Sequence, residues 1–458
     1  MSKKPVSRRK FLTMASSTAA AAILAACSPT ANPSPTAGTG NEAATQVPAK
    51  DPVKLRWWGG VPEANGPKQT VDAWNKAHPE IQVEYVQYPN NDEGNIKLDT
   101  ALMAGTEVDV MVSYGLARVK QRADAGAIEP LDAYLDGFDP VKEFGTLDNQ
   151  WDGKFWSLIL NMQPYMVFIN QNAFEAAGLP IPTDWTWDEF MAAAKKLVQG
   201  EGQSKRYGVF MTGEWGIEPA LYDKGGDFIY KTGLCETNFD DPAFSLALGM
   251  RKIMQDVDGS AMPYGDIKAA KLQPYSEFLA GHSAMLIEGS WILRYVKNLT
   301  EYPRDFKVTF APVPHPAAGP NTFRPGTADD RVSISSKSKY KAEAYQFLKW
   351  WSTEGYINMT PFGRTTLWKG RKPEESAESF LSDFVDADKY MDAEAYKTVM
   401  YGGMDKDFPI QFRADAAAEI NTVMREEVGK VLLGEAETDA AMAATKKRAD
   451  EALSKVCK

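Results

Sequence analysis

The sequence predicts an α/β protein of two lobes, each a mainly parallel sheet flanked by helices, and three observations carry that expectation. The chain has 458 residues, enough for two domains that each bury a sizeable core. Short apolar runs alternate with stretches of helical spacing, the pattern of strands joined by helical crossovers. With 44% hydrophobic and 24% charged residues the composition is that of a folded globular body, which excludes disorder or a collagen-like repeat for the bulk.

The elements follow in order. Val53-Lys54-Leu55-Arg56-Trp57-Trp58 alternates apolar and basic residues and reads as a strand ending at Gly59-Gly60. Val71, Trp74 and Ala77 fall three apart in a helix over 68–77 that His78-Pro79 stops, and a second strand spans 81–88. A helical stretch over 95–104 leads to Val108-Asp109-Val110-Met111-Val112, an apolar run typical of a buried parallel strand. The second lobe begins after 155–169. There Thr186 and Glu189 form a capping box, and Phe190, Ala194 and Leu197 supply the stripe of the helix it opens. Residues 283–287 read as a strand, Glu288-Gly289-Ser290 as a turn and 291–296 as a helix start. Ala344, Phe347, Leu348 and Trp351 lie at i, i+3, i+4 and i+7 of another helix. The last segment, 413–455, is Ala- and Glu-rich with helical spacing at Ile420, Val423 and Val431, and is expected across the back of one lobe.

The N-terminus points outside the cytoplasm. Lys3, Lys4, Arg8, Arg9 and Lys10 precede an apolar run of small residues from Phe11 to Ala26, the order of an export signal. Within it Ser7-Arg8-Arg9-Lys10-Phe11-Leu12 resembles the twin-arginine (Tat) signal, with the Sec route as the alternative. Leu24-Ala25-Ala26-Cys27 resembles the lipobox of bacterial lipoproteins, which implies a signal peptide over 1–26 and a lipidated Cys27. Cleavage before Cys27 removes five Lys/Arg and no Asp or Glu, taking the formal net charge from −10 to −15. Residues 28–50 are small, polar and Pro-rich, the composition of a tether. Nothing later approaches the roughly 20 apolar residues of a membrane span. The acidic balance repels phosphate backbones, so no nucleic-acid partner is expected.

Enzyme signatures are sparse. His78, His282 and His315 stand at no spacing to a second His or Cys that builds a metal site, and there is no phosphate loop, dinucleotide fingerprint or nucleophile elbow. Asp256-x-Asp258-Gly259 lacks the later acidic ligand of a calcium loop and reads as a turn. We therefore expect no metal, no organic cofactor and no catalytic residue. Spacing alone leaves open a glycosidase carboxylate pair, because such a pair is spatial. With Cys27 assigned to lipid, Cys235 and Cys457 either form one bridge or remain separate thiols.

Aromatic residues are abundant, with 12 Trp, 18 Tyr and 21 Phe. A pyranose ring packs its C–H face on an aromatic plane while its hydroxyls require polar partners. Trp58 at the carboxyl end of the first strand and Trp291 just after the Gly289-Ser290 turn occupy the edge where open α/β sheets bind ligands. Trp57, in phase with Val53 and Leu55, reads as core, as do Trp74 and Trp351 on helix stripes.

Several segments in sequence order resemble the bacterial extracellular solute-binding proteins of ABC importers, carbohydrate-uptake type, relatives of maltose-binding protein. They are Leu55-Arg56-Trp57-Trp58, Trp74-Asn75-Lys76-Ala77-His78-Pro79, the approach from Gly105 to Val110, Asp152-Gly153-Lys154-Phe155-Trp156-Ser157, Phe174-Glu175-Ala176-Ala177-Gly178-Leu179 with Trp187-Asp188-Glu189-Phe190, Ala284 through Trp291, and Ser336-Lys337 through Phe347-Leu348. The chain departs from that pattern at 157–160, where many relatives carry a proline, and at Thr327-Ala328-Asp329-Asp330-Arg331, where a glycine-rich approach is usual. The resemblance implies a two-lobed periplasmic-binding-protein fold of type II. One lobe would comprise 51–162 plus 312–365 and the other 163–311 plus 366–458, with crossings near 160–168, 309–314 and 360–368. It further implies a monomeric, lipid-anchored binder that delivers a solute, a carbohydrate by class, to ABC permease subunits at the outer face of the cytoplasmic membrane or in the periplasm. The cleft residues it implies are Trp58, Glu63, Ser113, Tyr114, Asn161, Glu214, Trp215, Ser290, Trp291, Phe362 and Arg364. The alternatives from other classes are a secreted polysaccharide hydrolase, a binder of a non-sugar solute, and a structural or adhesive lipoprotein.

Overall fold

The computed structural model describes residues 51–105, 107–145, 150–211, 229–231, 235–317, 319, 324–403 and 414–457. Cys27, the tether, Glu214 and Trp215 lie outside the described residues.

The expected strand–helix–strand opening is present. β1 (Val53–Gly59) pairs parallel with β2 (Ile81–Gln87) along its whole length, and the helix Pro67–Ala77 connects them. Pro67 fits the first helical turn, whose N–H groups have no intrahelical acceptor, so its missing donor costs nothing there. The helix Asp92–Ala104 is capped by the Asn91 side chain and leads to β3 (Val110–Ser113), parallel to β1. β4 (Ile128–Glu129) and the small β5–β6 hairpin (Gln150–Trp151, Lys154–Phe155) follow.

The organising element is β7 (Leu158–Asn170), 13 residues long, which changes partners along its length. Leu158–Pro164 pair antiparallel with β11 (Gly326–Ser335), itself antiparallel to β3, and Asn161 and Met162 also pair with β12 (Thr365–Thr366). Tyr165–Ile169 pair with β9 (Ser283–Gly289), and Val167–Asn170 with β10 (Val308–Ala311). β9 is in turn parallel to β8 (Tyr207–Phe210). The changeover falls at Pro164, which has no N–H to donate to a ladder, so a proline stands where β7 exchanges one set of partners for the next. The parallel pairs β1–β2, β1–β3 and β8–β9 therefore form the heart of each half, with antiparallel strands returning between them.

Burial resolves the two halves. On the first, Leu55, Trp57, Val110 and Val112 pack on one face with Trp74, Phe347 and Trp351, whereas Trp58 and Met111 pack on the opposite face with Tyr88, Leu98 and Val119. On the second, Val167, Ile169, Val209 and Met285 join one cluster and Met166, Phe168, Phe210 and Leu286 the other. Period-two alternation thus sends successive residues of each strand to opposite covered faces, giving two lobes of three layers. Trp57, Trp74 and Trp351 are each 1% exposed, as their stripes require.

The Thr186 capping box is formed, with the helix running Trp187–Lys196. Glu288 and Gly289, expected in a turn, instead complete β9, and the chain turns one residue later through the 3-10 segment Ser290–Ile292. The C-terminal stretch is two helices, Ala414–Leu432 and Thr438–Val456, broken at Gly434 with φ +75°. They pack with the second-lobe cluster through Ile420, Val428, Ala449 and Leu453, and the first also meets the helix Leu116–Asp124. Cys235 and Cys457 are joined in a disulfide that ties the last helix to the second lobe across 222 residues of sequence.

Candidate functional site

Three strand ends of the two sheets deliver the candidate residues. After β1 the chain passes Gly60, whose N–H donates to the Tyr114 hydroxyl at 2.8 Å, so the turns after β1 and β3 are tied together. Gly115, beside Tyr114, donates its N–H to Asp329 Oδ1 at 2.9 Å, which brings β11 to the same edge. Tyr85 closes the turn after β1 by donating its hydroxyl to Val61 O at 2.6 Å. Burial raises the pKa of both phenols, so each remains a neutral hydrogen-bonding group.

At the end of β9, Gly289 lies beneath the Trp291 indole: a Cβ on Gly289 would stand 1.8 Å from Cζ3 of that ring. Glycine is therefore required for the indole to lie flat on the backbone. Trp291 is half-buried and meets Tyr165 edge-on with centroids 5.7 Å apart. Ser290 is fully buried. The turn at Phe362-Gly363-Arg364 docks against it, since a Cβ on Gly363, whose φ is +78°, would stand 2.7 Å from Leu293 Cβ and 3.1 Å from Ser290 O. Phe362 is half-buried and Arg364 is buried.

Asn161 occupies β7 beside the changeover, fully buried, and donates Nδ2 to Asp330 Oδ2 at 3.0 Å. Arg364 donates Nη1 to the same oxygen, forming a buried ion pair. Burial, with the nearby Arg294 adding to it, pushes the Arg364 guanidinium down to about 10, still charged at neutral pH. Around this cluster Asn161 Oδ1, Ser290 Oγ, Asp330 Oδ1 and Arg364 Nε are buried with no hydrogen-bonding partner in the protein. Such atoms cost about 1–3 kcal/mol each when left unmade, so a polar solute able to meet them gains correspondingly.

Three residues behave differently from expectation. Trp58, expected as an open platform, is 7% exposed and belongs to the apolar cluster of Tyr88, Leu98 and Met111, because the face opposite Trp57 is also covered by a helix. Glu63 is exposed on the turn after β1, where its N–H reaches Gln87 Oε1 at 3.4 Å. Ser113 is fully buried and accepts from Arg122 Nη1 at 2.6 Å, within a network that also holds Asn95 and Asp99. The structure therefore gathers Tyr114, Asn161, Ser290, Phe362 and Arg364 toward one region, with Trp291 above Gly289.

Asp330 and Tyr356 were missed, although a pair of carboxylates inside an otherwise strand-like run at 329–330 was a readable signal. Trp151 and Trp156 are half-buried, stack with centroids 5.7 Å apart and pack on the Trp58 cluster. Asp256 and Asp258 are held by Lys252 and Lys195, and among the described residues no group of three His, Cys, Asp or Glu side chains converges on a metal position.

The family described as bacterial extracellular solute-binding protein matches residues 60–357. A curated relative, an uncharacterised lipoprotein of Streptomyces antibioticus, is 25% identical over 321 residues, covering 66% of this chain and 67% of that one. Among solved structures, an ABC substrate-binding protein of Listeria monocytogenes in complex with cycloalternan superposes with a TM-score of 0.70 at 18% identity over 88% of this chain and 100% of that one. A sugar transporter from Rhizobium etli in an open conformation gives 0.69 at 21% identity over 87% and 99%. The sugar-binding protein MalE from Xanthomonas citri gives 0.66 at 22% over 88% and 98%. These likenesses establish the two-lobed fold.

Proposed function

The chain belongs to the bacterial extracellular solute-binding proteins, and from that premise we propose that it captures a carbohydrate between its lobes and delivers it to an ABC importer. The observation that carries this reading is the half-buried Trp291 indole at the carboxyl edge of β9, beside buried polar atoms of Ser290, Asn161 and Arg364 that lack protein partners. A flat apolar face next to unmet donors and acceptors suits a ring that is apolar on its faces and hydroxylated at its rim. The cycloalternan complex and the sugar-binding relative support the same class of solute.

In this reading Trp291 stacks on the solute, Tyr114, Asn161, Ser290, Phe362 and Arg364 surround it, and Glu63, Glu214 and Trp215 approach from their loops. Trp58 and Ser113 support the first-lobe wall from beneath. The lobes comprise 51–162 plus 312–365 and 163–311 plus 366–458, and they close on the solute by hinge bending, which the permease reads. The protein works as a monomer and catalyses nothing. Cys27 carries the lipid and residues 28–50 the reach to the permease, after export by the Tat route. A Cys27→Ala variant should leave the membrane fraction, and its normal processing and acylation would refute the anchor.

A thermal-shift screen against a sugar panel, followed by calorimetry with product analysis, tests the proposal. A true ligand at a hundredfold excess over Kd stabilises the fold by about 2.7 kcal/mol and gives stoichiometric heat without product. Released product would establish a hydrolase instead, and stabilisation by a peptide or polyol but by no sugar would overturn the carbohydrate class.

A further inference from the structure

One carboxylate joins the strands and turn through which the chain passes between the lobes. Asp330 lies inside β11, 2% exposed, with φ +50°. The left-handed region costs an L-residue roughly 1 kcal/mol, and Asp is among the few that tolerate it. It interrupts the ladder locally: β11 pairs with β7 at Asp329–Asn161 and at Arg331–Ile159, on either side of Asp330. Asp330 lies in the Thr327–Arg331 segment, where the family resemblance implies a glycine-rich approach, and here an aspartate adopts the left-handed backbone and adds a carboxylate.

That carboxylate is engaged through one of its two oxygens. Oδ2 accepts from Asn161 Nδ2 of β7 at 3.0 Å, from the Tyr356 hydroxyl of the 3-10 segment Glu354–Phe362 at 3.2 Å, and from Arg364 Nη1 just before β12. Its own backbone belongs to β11. A buried ion pair contributes little to stability on balance, but removing one partner leaves the other charged and unpaired, so its value lies in fixing geometry. Two of the three donors, Asn161 and Arg364, are cleft candidates, and each is left with a buried atom that no protein group meets.

We propose that Asp330 is the positioning residue of the hinge: it aims Asn161 and Arg364 at the solute and couples β7, β11 and the 354–366 return so that they move together when the lobes close. The proposal rests on the interlobe-cleft reading for its effect on affinity, but the coupling itself is a property of the protein without solute.

Amide hydrogen exchange on the solute-free protein tests the coupling, using Asp330→Gly, which relieves the positive φ while removing the carboxylate, Asp330→Asn, which keeps side-chain shape without charge, and Arg364→Gln. Exchange in 158–168, 326–335 and 362–366 should rise together by about tenfold or more in Asp330→Gly and Arg364→Gln, less in Asp330→Asn, with β1 and β2 unchanged. The Asp330→Asn, Arg364→Gln double variant should add little to Arg364→Gln alone, because both sever one network. A change confined to 328–332, or additive effects, would overturn the coupling. With the sugar identified by the screen, the same variants should weaken binding about tenfold at unchanged stoichiometry. Unaltered affinity would overturn the positioning role. Failure of the wild type to bind any sugar would count against the functional reading, while the exchange comparison would still decide the coupling.

Discussion

The two lobes present a tryptophan at equivalent places, the carboxyl end of a central parallel strand, yet treat it in opposite ways. Trp58 ends β1 and is 7% exposed, whereas Trp291 follows β9 and keeps part of its ring open. The difference arises from what lies on each side. Trp58 is still within the strand, so its side chain enters the layer beneath the helix Asp92–Ala104, with Leu98 and Met111 as neighbours. Trp291 comes after the strand has ended, in a 3-10 turn whose glycine floor lets the indole lie along the edge. Topological position alone does not make a platform; a side chain must also leave the sheet's alternation. The lobes differ in reinforcement as well. The first is built around packed indoles, with Trp57 and Trp351 centroids 4.2 Å apart, and the second carries the Cys235–Cys457 bridge.

This contrast can be broken at several points. The largest effect belongs to the first lobe: Trp351→Ala, at a side chain 1% exposed, should cost ~3–5 kcal/mol of folding stability, and Trp58→Ala nearly as much. Denaturant melts measure both, and calorimetry on the folded fraction should show solute affinity within about twofold of wild type for Trp351→Ala. Reducing the disulfide, or Cys235→Ser with Cys457→Ser, should cost ~2–4 kcal/mol by freeing a long loop in the unfolded chain. Exchange protection should fall first in the helix Thr438–Val456, and an unchanged melt would show that the Lys446–Glu236 ion pair and the hydrogen bonds from Thr237 to Asp450 suffice to hold that helix.

Trp291→Ala should do the reverse of Trp351→Ala. Loss of the aromatic face should weaken solute binding by about 1–3 kcal/mol, while stability falls less, because the ring is half-exposed at the start. Unchanged affinity beside a large stability loss would place Trp291 with Trp58 as a core residue and erase the contrast. The smallest expected effect is none: chelation should leave solute affinity unaltered, and restoration of lost binding by calcium or zinc would contradict a metal-free site.

Much of this architecture was legible because local rules and the global fold agree. Trp57, Trp74 and Trp351 declare themselves core through phase, and Thr186 with Glu189 declares a helix start through a capping box that forms as written. The alternation of β1 was equally readable, but whether the face opposite Trp57 is open or covered depends on where the helix Asp92–Ala104 packs, which no local pattern encodes. The hinge cluster is harder still. Asn161 precedes Asp330 by 169 residues, Tyr356 and Arg364 follow it by 26 and 34, and the four meet only because β7, β11 and the 354–364 turn cross at one place. The resemblance to the solute-binding family brought Asn161 and Arg364 into view, while Asp330 appeared only as a departure from the expected glycines.

The central claim, that the two lobes enclose a solute, is tested most directly by small-angle X-ray scattering of the protein with and without the sugar that stabilises it, alongside Trp291→Ala. Lobe closure predicts a smaller radius of gyration for the wild type at saturation, and for the variant the same contraction only at higher sugar concentration. A radius unchanged at saturating sugar, in a sample shown by calorimetry to be fully bound, would contradict capture by closure and place the solute elsewhere on the molecule.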